Sequence, residues 1–354
     1  MFSLKILQLH NRITFVTIFV AIILFVSIAI FRSLMINVAQ ILLVDGLISD
    51  YSRLYIARNI FTHPIISEPF AQMPLSLCRI DIATNAFDSA SETCRELDLK
   101  TLVGIGDIYV RQGNPEIALN IYQLANQLHP NSALVFSRLG DTYSQGKSEA
   151  VEAYKQAIQL AASGDKSLSI LDLADIHVQL AQNYFWWEAY QQTISESKLA
   201  IALSPTYSYA YRLQAVSYAK LGQFELAEHT VQKAIQVDSS FWPYLEWGDI
   251  YHIQGQILQA SDKYKESVRL ADVQNQFRGY DRLCRLYLEI EDEKNSVDFC
   301  KKLVELHPDQ PESLILLGDA YVVAKNITAA EGQYLRVLEI EPQNPLAIQK
   351  LQKK

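Results

Sequence analysis

Cysteine is scarce, with four among 354 residues and no two of them in a CxxC pair. That excludes a scaffold built mainly from disulfides and an appended zinc ribbon. No HExxH, GxSxG or P-loop string occurs, and Gly104-x-Gly106 lacks both the third glycine and the preceding strand of a dinucleotide fingerprint. The seven histidines are scattered, and His129 and His307 sit beside the helix-stopping Pro130 and Pro308. No catalytic constellation, metal set or cofactor motif emerges, so the chain is expected not to be an enzyme and to need no cofactor. Positive charge is also short, with 31 Lys and Arg against 39 Asp and Glu. The formal charge of −8 divides into +3 for residues 1–44, which hold no acid, and −11 for the rest. A body this acidic lacks the basic surface that sequence-independent nucleic-acid binding requires. A composition 49% apolar and 20% charged fits neither a fully disordered chain nor a polytopic membrane protein.

Charge is missing altogether from Ile13 to Phe31, a run of nineteen residues flanked by Arg12 and Arg32. As a helix it spans roughly 28 Å, close to the ~30 Å hydrocarbon core of a bilayer. We read residues 1–12 as a short tail, 13–32 as a transmembrane helix and 33–70 as a juxtamembrane helix followed by a proline-containing linker. A cleaved signal peptide is the rival reading, with Ser27-Ile28-Ala29 as its small-x-small site. Lys5 and Arg12 keep the tail in the cytoplasm and place the carboxy-terminal part outside it. The expected topology is thus a single-pass membrane protein; under the rival reading it is a secreted one.

A small residue followed three places later by tyrosine recurs at Gly106, Gly140, Ala181, Ala215, Gly248, Cys284 and Gly318, at intervals of 34, 41, 34, 33, 36 and 34. A second apolar segment follows each, and both segments carry apolar residues at i, i+3, i+4 and i+7, the helical period. Gly113-Asn114, Gly222-Gln223 and Gly255-Gln256 break the chain between the segments, and Pro130, Pro205, Pro308 and Pro342 stop it after the second. Each unit is therefore predicted to be a hairpin of two amphipathic helices.

With Leu99 as place 1, the unit 99–132 shows Leu102, Ile105, Gly106, Tyr109, Ala118, Tyr122, Ala125 and Pro130, and 311–344 shows the same frame. This pattern closely resembles the tetratricopeptide repeat family, a resemblance that covers about 71–354. It implies an all-α, right-handed solenoid of about eight hairpins over 71–344: 71–98, 99–132, 133–163, 174–207, 208–240, 241–276, 277–310 and 311–344. Residues 345–354 would form a capping helix. The unit 133–163 is two residues short and 164–173 is an insertion, which predicts a local irregularity.

In this family the first helices line a groove, so the resemblance implies partner-binding residues there. Place 9 carries Asp107, Asp141, Asp249 and Asp319, read either as an acidic strip for a basic peptide or as solvated carboxylates. Arg278, Arg282 and Arg285 share one helix face and suit a carboxylate or phosphate, or else pair with neighbours such as Asp249 and Asp319. Trp186 and Tyr209 belong to an aromatic concentration that serves either as binding anchors or as inter-repeat core. Cys78 with Cys94 and Cys284 with Cys300 fall at places 8 and 24, which face one another across an antiparallel hairpin. Disulfides are expected there, with buried free thiols as the alternative. The functional expectation is a membrane-anchored scaffold that binds a peptide or helix of other proteins in the groove. The alternative is an envelope-assembly chaperone or a regulatory sensor acting on another membrane protein.

Overall fold

The computed structural model describes Cys78, Asp81, Ile82, Ala90 and residues 92–143 and 146–352. The expected anchor at 13–32, the tail before it and the segment 33–70 lie outside the described residues. Among the described residues there are fifteen α-helices and no strand, and no helix is long and apolar enough to cross a membrane.

The described residues fall into two compact units, one up to residue 143 together with 162–165, the other 146–161 together with 166–352. In the first unit α1 (Leu99–Arg111) pairs with α2 (Pro115–Leu128), and α3 (Ala133–Thr142) packs on both. Asp98 caps α1 by accepting from the Thr101 backbone N–H at 2.8 Å, and Pro115 opens α2 at a position that has no use for an N–H. The second unit begins with α4 (Ser148–Ala162) and continues as consecutive hairpins. These are α5 (Ile170–Trp186) with α6 (Tyr190–Leu203), α7 (Ser208–Lys220) with α8 (Phe224–Val237) and α9 (Trp242–Ile253) with α10 (Ile257–Leu270). Then come α11 (Gln276–Glu289) with α12 (Glu293–Leu306) and α13 (Pro311–Val323) with α14 (Ile327–Ile340). From α6 onward each second helix also packs on the next hairpin's first helix, and α15 (Pro345–Gln352) closes the last one against α14.

The frame departs from its expected boundaries around 133–173. Helix α3 ends at Thr142, so Tyr143 lies outside it in extended backbone. Helix α5 starts at Ile170, because a reciprocal capping box between Ser169 and Asp172 nucleates it inside the expected insertion. The turns between paired helices use left-handed backbone at Gly113, Gly222 and Gly255, but Glu188, Glu291 and Lys325 occupy it in three other hairpins.

Within the hairpins, places 8 and 24 meet. A Cβ built on Gly106 would lie 2.3 Å from the Tyr122 ring, on Gly248 2.4 Å from Tyr264, and on Gly318 2.3 Å from Tyr334. Only glycine lets those rings sit against the opposing backbone. Where cysteine takes both places, Cys78 is bonded to Cys94 and Cys284 to Cys300, with Cα atoms 4.9 Å apart in each pair. All four cysteines are fully buried.

Candidate functional site

The first helices α5, α7, α9 and α11 of the second unit line a groove of about 980 Å³. Its walls are aromatic and aliphatic, with Phe185, Trp186, Tyr209, Val216, Trp242, Ile253 and Leu286 contributing. Trp186 is 63% exposed, whereas Tyr209 is half-buried and burial pushes its phenol above the ordinary range. Trp187, beside Trp186, turns away to donate its indole N–H to the Gly146 carbonyl at 2.6 Å.

Beneath the groove Arg212 grips Glu246 with two bonds of 2.5 Å, Nε to Oε2 and Nη2 to Oε1. Only 10% of the Arg212 side chain and 15% of the Glu246 side chain remain exposed. Burial lifts the Glu246 carboxyl to about 7, against the opposing pull of the guanidinium. This pair had no signal in single-residue patterning, because its members lie 34 residues apart in two different hairpins.

The guanidinium of Arg212 lies between two rings, its centre 5.1 Å from the Tyr209 centroid and 4.5 Å from that of Trp242. Arg278 takes the next position, 4.7 Å from Trp242 and 4.9 Å from Phe277. Cation–π stacking therefore runs from α7 through α9 to α11.

The place-9 carboxylates do not form an open acidic strip. Tyr122, Tyr264 and Tyr334 donate their hydroxyls to Asp107, Asp249 and Asp319 at 2.7, 2.8 and 2.7 Å. Each of these carboxylates also accepts from a cation 31–33 residues later: Arg138 at 3.1 Å, Arg282 at 2.9 Å and Lys350 at 2.6 Å. The aspartates couple a hairpin's second helix to the cation that follows, while their side chains stay partly exposed, 35% at Asp107, 23% at Asp249 and 27% at Asp319. Asp141 lies 3.4 Å from the same Arg138.

The arginine stripe divides. Arg282 bonds Asp249 and lies 3.4 Å from Asp281, and Arg285 donates to Asp281 at 2.9 Å. Arg278 stacks on rings. Arg282 and Arg285 line the groove, and all three line a neighbouring cavity of about 250 Å³. Among the described residues no group of three or more His, Cys, Asp or Glu is placed to hold a metal ion.

Two-helix units at a period near 34, closed by a small residue against a tyrosine ring, make a helical-repeat fold similar to that of tetratricopeptide repeats. Residues 299–345 match the family Tetratricopeptide repeat. The chain is 25% identical over 281 residues to anaphase-promoting complex subunit 3 of Schizosaccharomyces pombe, an alignment covering 64% of this chain and 41% of that protein. It therefore spans about two fifths of the length of that curated relative. Among solved structures it superposes on the APC/C hetero-tetramer Cut9–Hcn1 with a TM-score of 0.50 at 14% identity, over 86% of this chain and 63% of that one. A tetratricopeptide repeat protein from Parabacteroides merdae superposes with a TM-score of 0.55 at 15% identity, over 72% of this chain and 97% of that one. At such identities the likeness to the solved structures is one of fold.

Proposed function

We propose that the chain is a non-catalytic, membrane-anchored scaffold that holds an extended segment of partner proteins in the groove of its second unit, outside the cytoplasm. The groove itself carries the reading, being preformed and walled by aromatic side chains, with Arg212, Arg282 and Arg285 among its polar neighbours already paired. A site so ordered needs little further ordering to bind, which favours affinity. Trp186 offers an exposed aromatic anchor and Tyr209 a half-buried one. The curated relative is named as a subunit of a complex, and such a role suits a repeat surface. Anchoring rests on the uncharged run Ile13–Phe31, and the exterior location on Lys5, Arg12 and the paired cysteines.

The test is photocrosslinking of the full chain in membranes, with benzoylphenylalanine replacing Trp186 or Tyr209. A second probe replaces Leu258, which is 77% exposed on α10 and does not line the groove. Partner peptides attached at Trp186 and Tyr209 and absent at Leu258 are expected. Partner peptides attached at Leu258 alone would overturn the groove as the binding surface.

A further inference from the structure

Four arginines line the groove and the smaller cavity beside it. Three of them hold carboxylates: Arg212 holds Glu246, Arg282 holds Asp249, and Arg285 holds Asp281. Arg278 holds none, and its Nε is buried with no acceptor. The two acids lining the small cavity do not reach it, since Asp281 faces Arg282 and Arg285 and Glu312 forms no ion pair with it. With Asp249, which Arg282 holds, three arginines meet three acids around this cavity, and Arg278 is the arginine of the three that has no carboxylate partner.

The unpaired guanidinium is held in place. The rings of Trp242 and Phe277 lie 4.7 and 4.9 Å from its central carbon, and its Nε is buried. The two terminal nitrogens form the edge that a carboxylate meets in the paired, end-on geometry. Recruiting Arg282 or Arg212 instead would require breaking a pair the fold already uses, and would strand a half-buried acid. At Arg278 an incoming carboxylate displaces nothing.

We infer that Arg278 is the charge-reading anchor of the binding surface, and that it takes the side-chain carboxylate of an aspartate or glutamate inside an extended partner segment. The residues flanking that acid in the segment are apolar. Trp242, Arg282 and Arg285 line both spaces, so the small cavity and the large groove adjoin and receive successive residues of one chain. About 250 Å³ accommodates one acidic side chain, and the larger space, with Trp186, Tyr209 and Ile253, accommodates its apolar neighbours. This inference rests on the groove reading proposed above.

The test uses the full chain in detergent micelles and a random library of acetylated, amidated dodecapeptides, which carry no terminal carboxylate. Retained peptides are expected to share one Asp or Glu among aromatic and aliphatic neighbours. Converting that acid to its amide in the best peptide should weaken binding to the wild-type chain ~10- to 150-fold, the range of a charge-assisted bond. On Arg278→Gln the same peptide change should have little effect, the non-additivity expected of two groups in contact. Arg278→Lys keeps the charge and loses the fork, and should bind the acidic peptide more weakly than wild type at an unchanged melting temperature. The amide swap in the peptide tests the charge even if Arg278→Gln fails to fold. Retained peptides without an acid, or an equal amide effect on wild type and Arg278→Gln, would each overturn the inference while leaving the groove in place. A library from which nothing is retained would overturn both.

Discussion

A tyrosine hydroxyl driven into an apolar hairpin needs an acceptor, and in this chain place 9 supplies it. Where place 24 is Tyr122, Tyr264 or Tyr334, place 9 is Asp107, Asp249 or Asp319; where place 24 is Cys300, place 9 is Arg285. The aspartates thus follow the tyrosines. Burial and the adjacent carboxylate push each of these phenols well above the ordinary range, so they remain donors at every physiological pH. Asp249→Ala should therefore lower stability by ~1–3 kcal/mol in denaturant titration, and Tyr264→Phe in that background should recover part of the loss. If both single variants are neutral, the coupling has no structural weight. None of this was legible from the spacing of the aspartates alone, because the cation completing each site lies one hairpin further on. Glu246 makes a pH prediction of its own. Its folded carboxyl titrates near 7 against an ordinary value of 4.5, so between those limits the folded chain keeps a proton that the unfolded chain releases. Its contribution to stability is greatest below about pH 4.5 and declines as pH rises through 7. Melting temperatures measured between pH 5 and 7 should show this decline in the wild type and a flatter profile in Glu246→Gln. The lowered carboxyls of Asp98 and Asp292 act with the opposite sign and at lower pH, below their ordinary 3.8, and so do not mask it.

At the scale of the hairpin, places 8 and 24 obey a volume rule. Glycine faces tyrosine at 106/122, 248/264 and 318/334, alanine faces serine or valine at 181/197 and 215/231, and cysteine faces cysteine at 78/94 and 284/300. The large tyrosine on the second helix meets glycine, and the smaller serine, valine or cysteine meets alanine or cysteine, as close packing of two antiparallel helices demands. Gly318→Ala would place a methyl group 2.3 Å from the Tyr334 ring, and should cost ~1–3 kcal/mol from forced repacking. Valine for Ala215 should also destabilise, because that place is fully buried. An unchanged melting temperature for Gly318→Ala would show that the hairpin yields where packing says it cannot. The helical period and the small residue were legible because they recur seven times, and the stops because proline follows four of the second segments. The extended Tyr143, the early start of α5 and the left-handed Glu188, Glu291 and Lys325 were not. Each is decided by a local cap or turn that occurs outside the repeating positions, and at three turns a residue other than glycine takes a backbone conformation that sequence reading assigns to glycine.

At the scale of the whole chain, two features of different physical origin point to one compartment. Lys5 and Arg12 lie before an uncharged run of nineteen residues, and all four cysteines are paired, Cys78–Cys94 in the first compact unit and Cys284–Cys300 in the second. Each unit thus has its own staple. A bond closing a loop of about this length contributes ~2–4 kcal/mol, chiefly by constraining the unfolded chain. Reduction should therefore lower the melting temperature of wild type, while in a Cys284→Ala/Cys300→Ala chain it should act through the first unit alone. The compartment enters because such bonds persist where the surroundings are oxidising, which agrees with the exterior location proposed above for residues 36–354. Alkylating unfolded, unreduced protein taken directly from cells should label no cysteine, and a reporter active only in the cytoplasm, fused after Lys354, should be silent. The two readouts constrain each other. Four labelled cysteines with an active reporter would place the repeats in the cytoplasm and reverse the topology. Four labelled cysteines with a silent reporter would keep the topology and remove the staples. Release of the unreduced chain by a carbonate wash would remove the anchor and leave export to a cleaved leader, with the groove and its arginine unaffected.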